Sequence, residues 1–207
     1  MPSRIYECIC AIGNRIIDNK DFLTELDREI GDADHGINMA RGFAEVMKGL
    51  DPEETDIGAA LKKVSMILIS KVGGASGPLY GTAYMKAAKE AMGKTSLTTD
   101  DAIAMMKAAV EGIRQRGKSD IGEKTMLDAL VPAYEALASG AAQGRDAAMI
   151  LDDMCQAAAD GAAYTRTIAA TKGRASYLGD RSIGHQDPGA TSSLLTLEAI
   201  RDYLSTN

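Results

Sequence analysis

The stretch IGAALKKVSMIL, residues 57–68, decides the fold. Its apolar residues Ile57, Leu61, Val64 and Leu68 are spaced four, three and four apart, which gathers them on one face of an α-helix and would scatter them over both faces of a strand. Asp56 stands just before them, where a helix N-cap belongs. Outward from this segment the same spacing recurs along the chain. It runs through Ile5, Ile9, Ile12 and Ile16, then Phe43, Val46, Met47 and Leu50, and beyond residue 68 through Ala83, Tyr84, Ala87 and Ala91. Ile103, Met106, Val110 and Ile113 follow, then Met126, Leu127, Leu130, Tyr134 and Leu137. The last two stripes are Ile150, Leu151, Met154 and Ala158, and Leu194, Leu197, Ile200 and Leu204. Strand alternation is hard to find, so the expectation is an all-α chain of eight helices with no sheet.

Boundary signals agree with this reading. Thr98 and Asp101 form a capping-box pair, and Asp187-Pro188 sets an acidic cap before a proline in the first turn of the last helix. Pro132 falls inside the sixth stripe and should kink that helix or mark its start, because an interior proline costs about 3 kcal/mol. With 21 Gly, 11 Met and only 2 Phe, the core should consist of closely approaching helices rather than stacked rings. A length of 207 residues suits one domain spanning residues 1–207. Ser139 to Arg145 is the best connector by composition.

Composition also excludes some functions. A net charge of -6 argues against a protein whose main partner is nucleic acid. The run Val64 to Ile69 is far short of the roughly 20 residues that span a bilayer. Arg4, Glu7 and Arg15 interrupt any signal-like apolar segment at the N-terminus. Cys8, Cys10 and Cys155 fit neither a disulfide framework nor a zinc motif, so buried thiols and a cytoplasmic location are expected.

Three connecting segments carry more chemistry than links need. The first, Asp27 to Asn38, holds Asp27, Asp32 and Asp34, with Gly31 and Gly36 to let the backbone fold tightly. Converging carboxylates repel unless a hard divalent cation joins them, and oxygen-only ligation favours Mg²⁺ or Ca²⁺. An EF-hand is excluded by spacing, since glycine falls at loop position 5 and position 12 is Phe43. A zinc site is excluded because His35 has no Cys or second His nearby. The bland alternative is a solvated acidic turn ahead of a helix.

The second segment, Gly73 to Gly81, includes Gly73-Gly74-Ala75-Ser76-Gly77-Pro78 between two helical stripes, where freed backbone N–H groups and a helix N-terminus suit an anion. It matches neither the P-loop nor the dinucleotide fingerprint, and no strand precedes it. A plain C-cap and turn is its alternative. The third, Lys172 to Gly189, is long and irregular, with three cations and His185. It has the make-up of a lid whose Arg174 or Arg181 could stabilise charge on a phosphoryl group, or else of a solvated surface loop. Together the three suggest a Mg-nucleotide site on a helical scaffold.

At these residues the sequence resembles the nucleotide-binding (ADP-binding) subunits of bacterial dihydroxyacetone kinases, the DhaL family. Leu26 through Gly36 is similar to the family's metal loop, Gly73 through Gly81 to its phosphate loop, and Gly173 through Gly189 to its lid. Arg116-Gly117-Lys118 with Glu123-Lys124-Thr125-Met126 is a fourth shared segment. The resemblance implies an eight-helix up-and-down barrel with the nucleotide at one end. It implies that Asp27, Asp32 and Asp34 hold two Mg²⁺ ions and that His35, Gly36, Ile37 and Asn38 line the nucleotide. Ala75 and Ser76 would bind phosphates, Gly117 and Met126 the nucleoside end, and Arg174 with Asp187, Pro188 and Gly189 would close the lid.

The implied reaction moves a phosphoryl group to dihydroxyacetone held by a separate substrate-binding subunit. In stand-alone subunits, bound ADP serves as a coenzyme recharged by a phosphohistidine protein of the phosphotransferase system, and the lack of a fused substrate domain favours that branch. The alternatives are a direct ATP-dependent kinase subunit for dihydroxyacetone or a related short ketose, and a non-enzymatic ADP-state sensor that binds a regulator. The oligomeric state, a homodimer included, stays open.

Overall fold

The computed structural model describes residues 1–206, which form nine α-helices, two 3-10 stretches and no strand. The helices are α1 (Arg4–Asp18), α2 (Lys20–Ile30), α3 (His35–Gly49), α4 (Ile57–Lys71), α5 (Ser76–Glu90), α6 (Thr99–Gly117), α7 (Leu127–Ala142), α8 (Ala147–Tyr164) and α9 (Pro188–Thr206). From α3 to α9 each helix packs on the next, and α1 sits between α9 and α3 to close a ring. The eight apolar stripes are the eight helices of this ring.

The ninth helix, α2, is the departure from expectation. It packs on α3 and α9, and its buried residues are Leu23, Thr24, Asp27 and Ile30. Leu23, Leu26 and Ile30 carry the helical spacing, but the stripe is short and its last turn runs into the acidic segment that reads as a link. The acidic segment is correspondingly shorter than expected. Asp27 belongs to the last turn of α2, His35 begins α3, and only residues 31–34 link them.

The predicted caps form. Asp56 accepts from the Ala59 amide, Thr98 and Asp101 exchange both bonds of a capping box, and Asp187 accepts from the Ala190 amide at 2.7 Å. The link between α7 and α8 is only residues 143–146, narrower than the composition suggested. Cys155 is buried as expected, whereas Cys8 and Cys10 are only partly so.

The larger core cluster joins α1, α3, α4 and α5 with parts of α6, α7 and α9, and Phe43 meets Tyr84 edge-on at 6.4 Å. A second cluster fills the space between α7, α8 and α9 with Ala129, Ala133, Ala158, Ala162 and Ala190 among its members. Such small residues let helix backbones approach closely. A third and smaller cluster, Ile30 with Ala170 and Ala175, fastens the lid segment to the end of α2.

Pro132 lies within α7 rather than at its start. Having no N–H, it leaves the carbonyl of Asp128, four residues back, without its helical donor. That carbonyl faces Gly161 of α8, so close that a side chain at 161 would collide with it. Gly161→Ala should therefore separate α7 from α8 and cost about 1–3 kcal/mol. Chemical denaturation will read it, and an unchanged midpoint would disprove the close approach.

Candidate functional site

Three helix N-termini converge at one end of the ring. His35 is the first residue of α3, Ser76 the first of α5, and Ser192 lies in the first turns of α9. The His35 ring joins them, with Nδ1 3.0 Å from Ser76 Oγ and Nε2 2.8 Å from Ser192 Oγ. Tyr80 continues the chain, its hydroxyl lying 2.7 Å from Ser192 Oγ and 3.0 Å from Ser193 Oγ. Each N-terminus carries partial positive charge and unpaired N–H groups.

Two of the three are satisfied by aspartates. Asp27 Oδ2 accepts from the amides of Asp34, at 2.8 Å, and His35, at 3.1 Å, at the start of α3. Asp187 caps α9. The start of α5 has no side-chain cap, its preceding residue Ala75 is exposed, and Gly74 enters it with φ 65°. Amide donors at that end are thus available to an anion, the arrangement that phosphate-binding helix starts in general present.

Beside it stand the three carboxylates. Asp27 is buried, Asp34 half-buried and Asp32 exposed, and one oxygen from each lies within 4.8 Å of the others. The turn that returns Asp32 and Asp34 toward α2 contains Ala33 at φ 58°, a left-handed conformation unusual for a residue with a side chain. Gly31 is needed here as well, since a Cβ would overlap Asp27 Oδ1. Oxygen donors in this number and spacing fit a hard divalent cation. Arg174, on the 3-10 stretch Arg174–Ser182, meets the cluster through Nη2, 2.9 Å from Asp32 Oδ2.

The remaining residues singled out from the sequence divide into groups. Asn38 is buried, lies against Gly73 and accepts from Arg41 at 2.7 Å. Gly36 is buried where α2 crosses α3, so near the Lys20 carbonyl that its lack of a side chain serves helix packing. Ile37 points outward and is half exposed. Met126 is buried against Gly189, and Gly117 ends α6 beside Leu79 of α5. Asp187 and Pro188 are buried at the base of the lid, which is mostly a 3-10 stretch kinked at Gly179 rather than irregular coil. His35 is 7% exposed and both its ring nitrogens are engaged, so it acts on its surroundings through Ser76 and Ser192.

No individual role could be read from the sequence for several polar residues that lie buried around this end. Tyr80, Ser192 and Ser193 are among them, as are Asp128, which accepts from the amides of Gly122 and Thr125, and Lys124. The Thr191-Ser192-Ser193 run, hydroxyls at the start of an apolar helix, was the one local sign of them.

Burial acts oppositely on His35 and Asp187. It lowers His35 to about 4, against the opposing pull of Asp27 and Asp34. It raises Asp187 to about 7, opposed by the Ala190 amide and Lys124 and assisted by Asp128 and Asp27. Thus the imidazole is neutral near pH 7, and the Asp187 carboxyl titrates close to it.

A family model described as the DAK2 domain matches residues 29–202. The chain is 43% identical over 199 residues to the ADP-binding subunit DhaL of the PEP-dependent dihydroxyacetone kinase of Escherichia coli (strain K12), covering 96% of this chain and 95% of that one. It is 42% identical over 200 residues to the corresponding subunit of the PTS-dependent kinase of Lactococcus lactis, with 96% of each chain covered. With the human triokinase/FMN cyclase it shares 32% identity over 204 residues, 98% of this chain but 35% of that protein. The fold is similar to that of the dihydroxyacetone kinase of C. freundii solved with AMP-PNP and Mg²⁺, with a TM-score of 0.71 at 24% identity. That match covers 98% of this chain and 34% of the larger one.

The opposed shifts make a testable pair. Unfolded, a histidine binds its proton near pH 6.5, and folded His35 only near 4, so acidification through that window costs stability. Asp187 works the other way: folded, it holds a proton up to about 7, while an unfolded aspartate releases it near 4, so acidification favours the fold. In chelator-treated protein Asp187→Asn should remove this offset and make the Tm fall more steeply between about pH 6.5 and 4.5. Parallel Tm profiles for the two proteins would refute it.

Proposed function

Because this chain belongs to the DAK2 domain family, we propose that it is a single nucleotide-binding domain that works as the phosphoryl-transfer subunit of a multi-subunit dihydroxyacetone kinase. The observation that carries the proposal is the side-chain-uncapped N-terminus of α5, joined through His35 and Ser76 to a trio of aspartates within 4.8 Å of one another. A polyphosphate needs both amide donors and divalent cations, and the two stand side by side here.

Asp27, Asp32 and Asp34 would hold two Mg²⁺ ions, whose contribution when bound is to neutralise phosphate charge and polarise the transferring phosphoryl. Asp27 has one oxygen engaged by the start of α3, which leaves its Oδ1 for ligation. Ser76 and the amides at the start of α5 bind phosphate oxygens, with Ala75 exposed beside them. Gly117 and Met126 border the nucleoside end, with His35, Gly36, Ile37 and Asn38 on the α3 side, and the Asp187-Pro188-Gly189 turn forms the base of the lid. Arg174 pairs with Asp32 and would donate its guanidinium fork to the phosphoryl oxygens as charge builds. Positioning and charge stabilisation are this chain's share, and proton removal from the substrate hydroxyl falls to the partner subunit.

In this reading ADP stays bound and is recharged by a phosphohistidine protein of the phosphotransferase system. The subunits named as PEP-dependent and PTS-dependent, matched along nearly their full length, support it. Direct exchange with free ATP is the second reading, favoured by similarity to the triokinases and to the kinase solved with AMP-PNP. A cytoplasmic location accords with three free cysteines. Among the described residues no helix is long and apolar enough to cross a membrane.

The test is to dialyse the purified protein against Mg²⁺, denature it, and identify and count the released nucleotide by chromatography. Near-stoichiometric ADP is expected. An empty protein that exchanges added ATP would favour the second reading, and one that binds neither would overturn both. Asp32→Asn and Asp34→Asn should each abolish Mg-dependent retention with the helical circular dichroism intact, and retention in both variants would remove the metal assignment. Arg174→Ala should lower the transfer rate by more than it raises the nucleotide Kd, since its charge acts mainly in the transition state. A change in Kd alone would reduce Arg174 to a clamp.

A further inference from the structure

Lys124 has no part in the chemistry just described, yet it is 1% exposed, and lysine is among the residue types least often fully buried. It stands in the loop between α6 and α7, flanked by Gly117 and Met126, with φ 61°, a left-handed conformation that side chains rarely adopt. Its ammonium donates to the carbonyls of Thr165 and His185 and, at 3.3 Å, to that of Ile168. Thr165 and Ile168 belong to the root from which the lid leaves α8, and His185 lies at the lid's far end.

Glu123, the preceding residue, grips the near end. Its carbonyl accepts from the Thr171 amide at 3.3 Å, its carboxylate from the Thr171 hydroxyl at 3.2 Å, and the carboxylate pairs with Lys172 at 3.7 Å. Two consecutive residues of one loop therefore hold both ends of the segment from 171 to 185. Between these anchors lie Arg174, which meets the aspartate cluster, and Ala175, which packs on Ile30.

We propose that Glu123 and Lys124 are positioning residues that lock the lid to the nucleoside-end loop, so that nucleotide retention depends on a lysine that does not touch the nucleotide. The three carbonyls give the reason for an ammonium. Each requires a donor when buried, and one tetrahedral group with three N–H bonds serves all of them. The left-handed backbone at 124 is then the strain accepted to aim the side chain inward. The proposal rests on the nucleotide reading above and adds to it the means by which the nucleoside end and the lid are held together.

Lys124→Met, which keeps the length and removes the donors, and Glu123→Gln test it. In each protein the dissociation rate of ADP and the affinity for Mg-pyrophosphate are measured, together with tryptic cleavage at Lys172, Arg174 and Arg181. For Lys124→Met, ADP should leave about tenfold faster or more, while pyrophosphate affinity changes by less than about threefold, and the lid should be cut more readily. Glu123→Gln should move both readouts in the same direction by less. Equal losses for ADP and pyrophosphate would mean a general structural role and overturn the proposal, as would unchanged ADP release in both variants. Should Lys124→Met fail to fold, Glu123→Gln decides alone: faster ADP release with pyrophosphate binding intact supports the lock, and any other result overturns it. A wild-type protein that binds no ADP would overturn the nucleotide reading and this one with it. Wild-type retention with unchanged variants overturns only this one.

Discussion

One carboxylate organises the working end of this molecule. Asp27, in the last turn of α2, accepts two backbone N–H bonds from the start of α3 and thereby fixes the turn between the helices. With that turn fixed, Ala33 is held left-handed and Asp32 and Asp34 come back toward Asp27. The magnitudes show why this arrangement needs company. At roughly 5 Å and an effective dielectric near 20, each pair of ionised carboxylates repels by about 3 kcal/mol. The two hydrogen bonds to Asp27 return about 1.5–3 kcal/mol each, which at most matches the roughly 6 kcal/mol of its own two repulsions. Arg174, paired with Asp32, is one compensating charge, and a bound cation would be a stronger one.

His35 carries the same constraint across the ring. As the first residue of α3 it is set in place by Asp27, and its ring then ties α3 to α5 and α9. Three helices that arrive from different parts of the sequence are thus registered against each other by one neutral imidazole. Two of their N-termini are satisfied from within by aspartates. The asymmetry leaves the third, α5, as the place where an outside anion gains most.

Much of this was legible beforehand, and the exceptions share a cause. The eight ring helices could be read because each buries an apolar stripe against its neighbours, and the capping residues Asp56, Thr98 and Asp187 could be read because their chemistry is local. The three loaded segments were also visible, since acids, glycines and cations depart from the helical background. Helix α2 was not, because its stripe of Leu23, Leu26 and Ile30 is short and its last turn carries Asp27, which reads as part of an acidic link. Lys124 and Ser192 escaped for a related reason. Their burial is set by partners more than 40 residues away, and a lysine in a polar loop looks the same whether it faces water or three carbonyls. His35 could be assigned to the site but not to its manner of acting there, which depends on where Ser76 and Ser192 come to rest.

The antiparallel pairing of α1 with α9 bears on how such a domain can be combined with others. Glu7 meets Tyr203 near the outer ends of these helices, and Arg15 meets Glu198 and Asp202 farther in, while the start of α9 lies at the loaded loops. The beginning of α1 and the end of α9 are therefore neighbours on the side of the ring remote from those loops. A tether attached at either one would leave the loops unobstructed. The same ring can then serve as a free-standing unit or as one module of a longer polypeptide, and the joint itself puts no demand on the geometry of the aspartates.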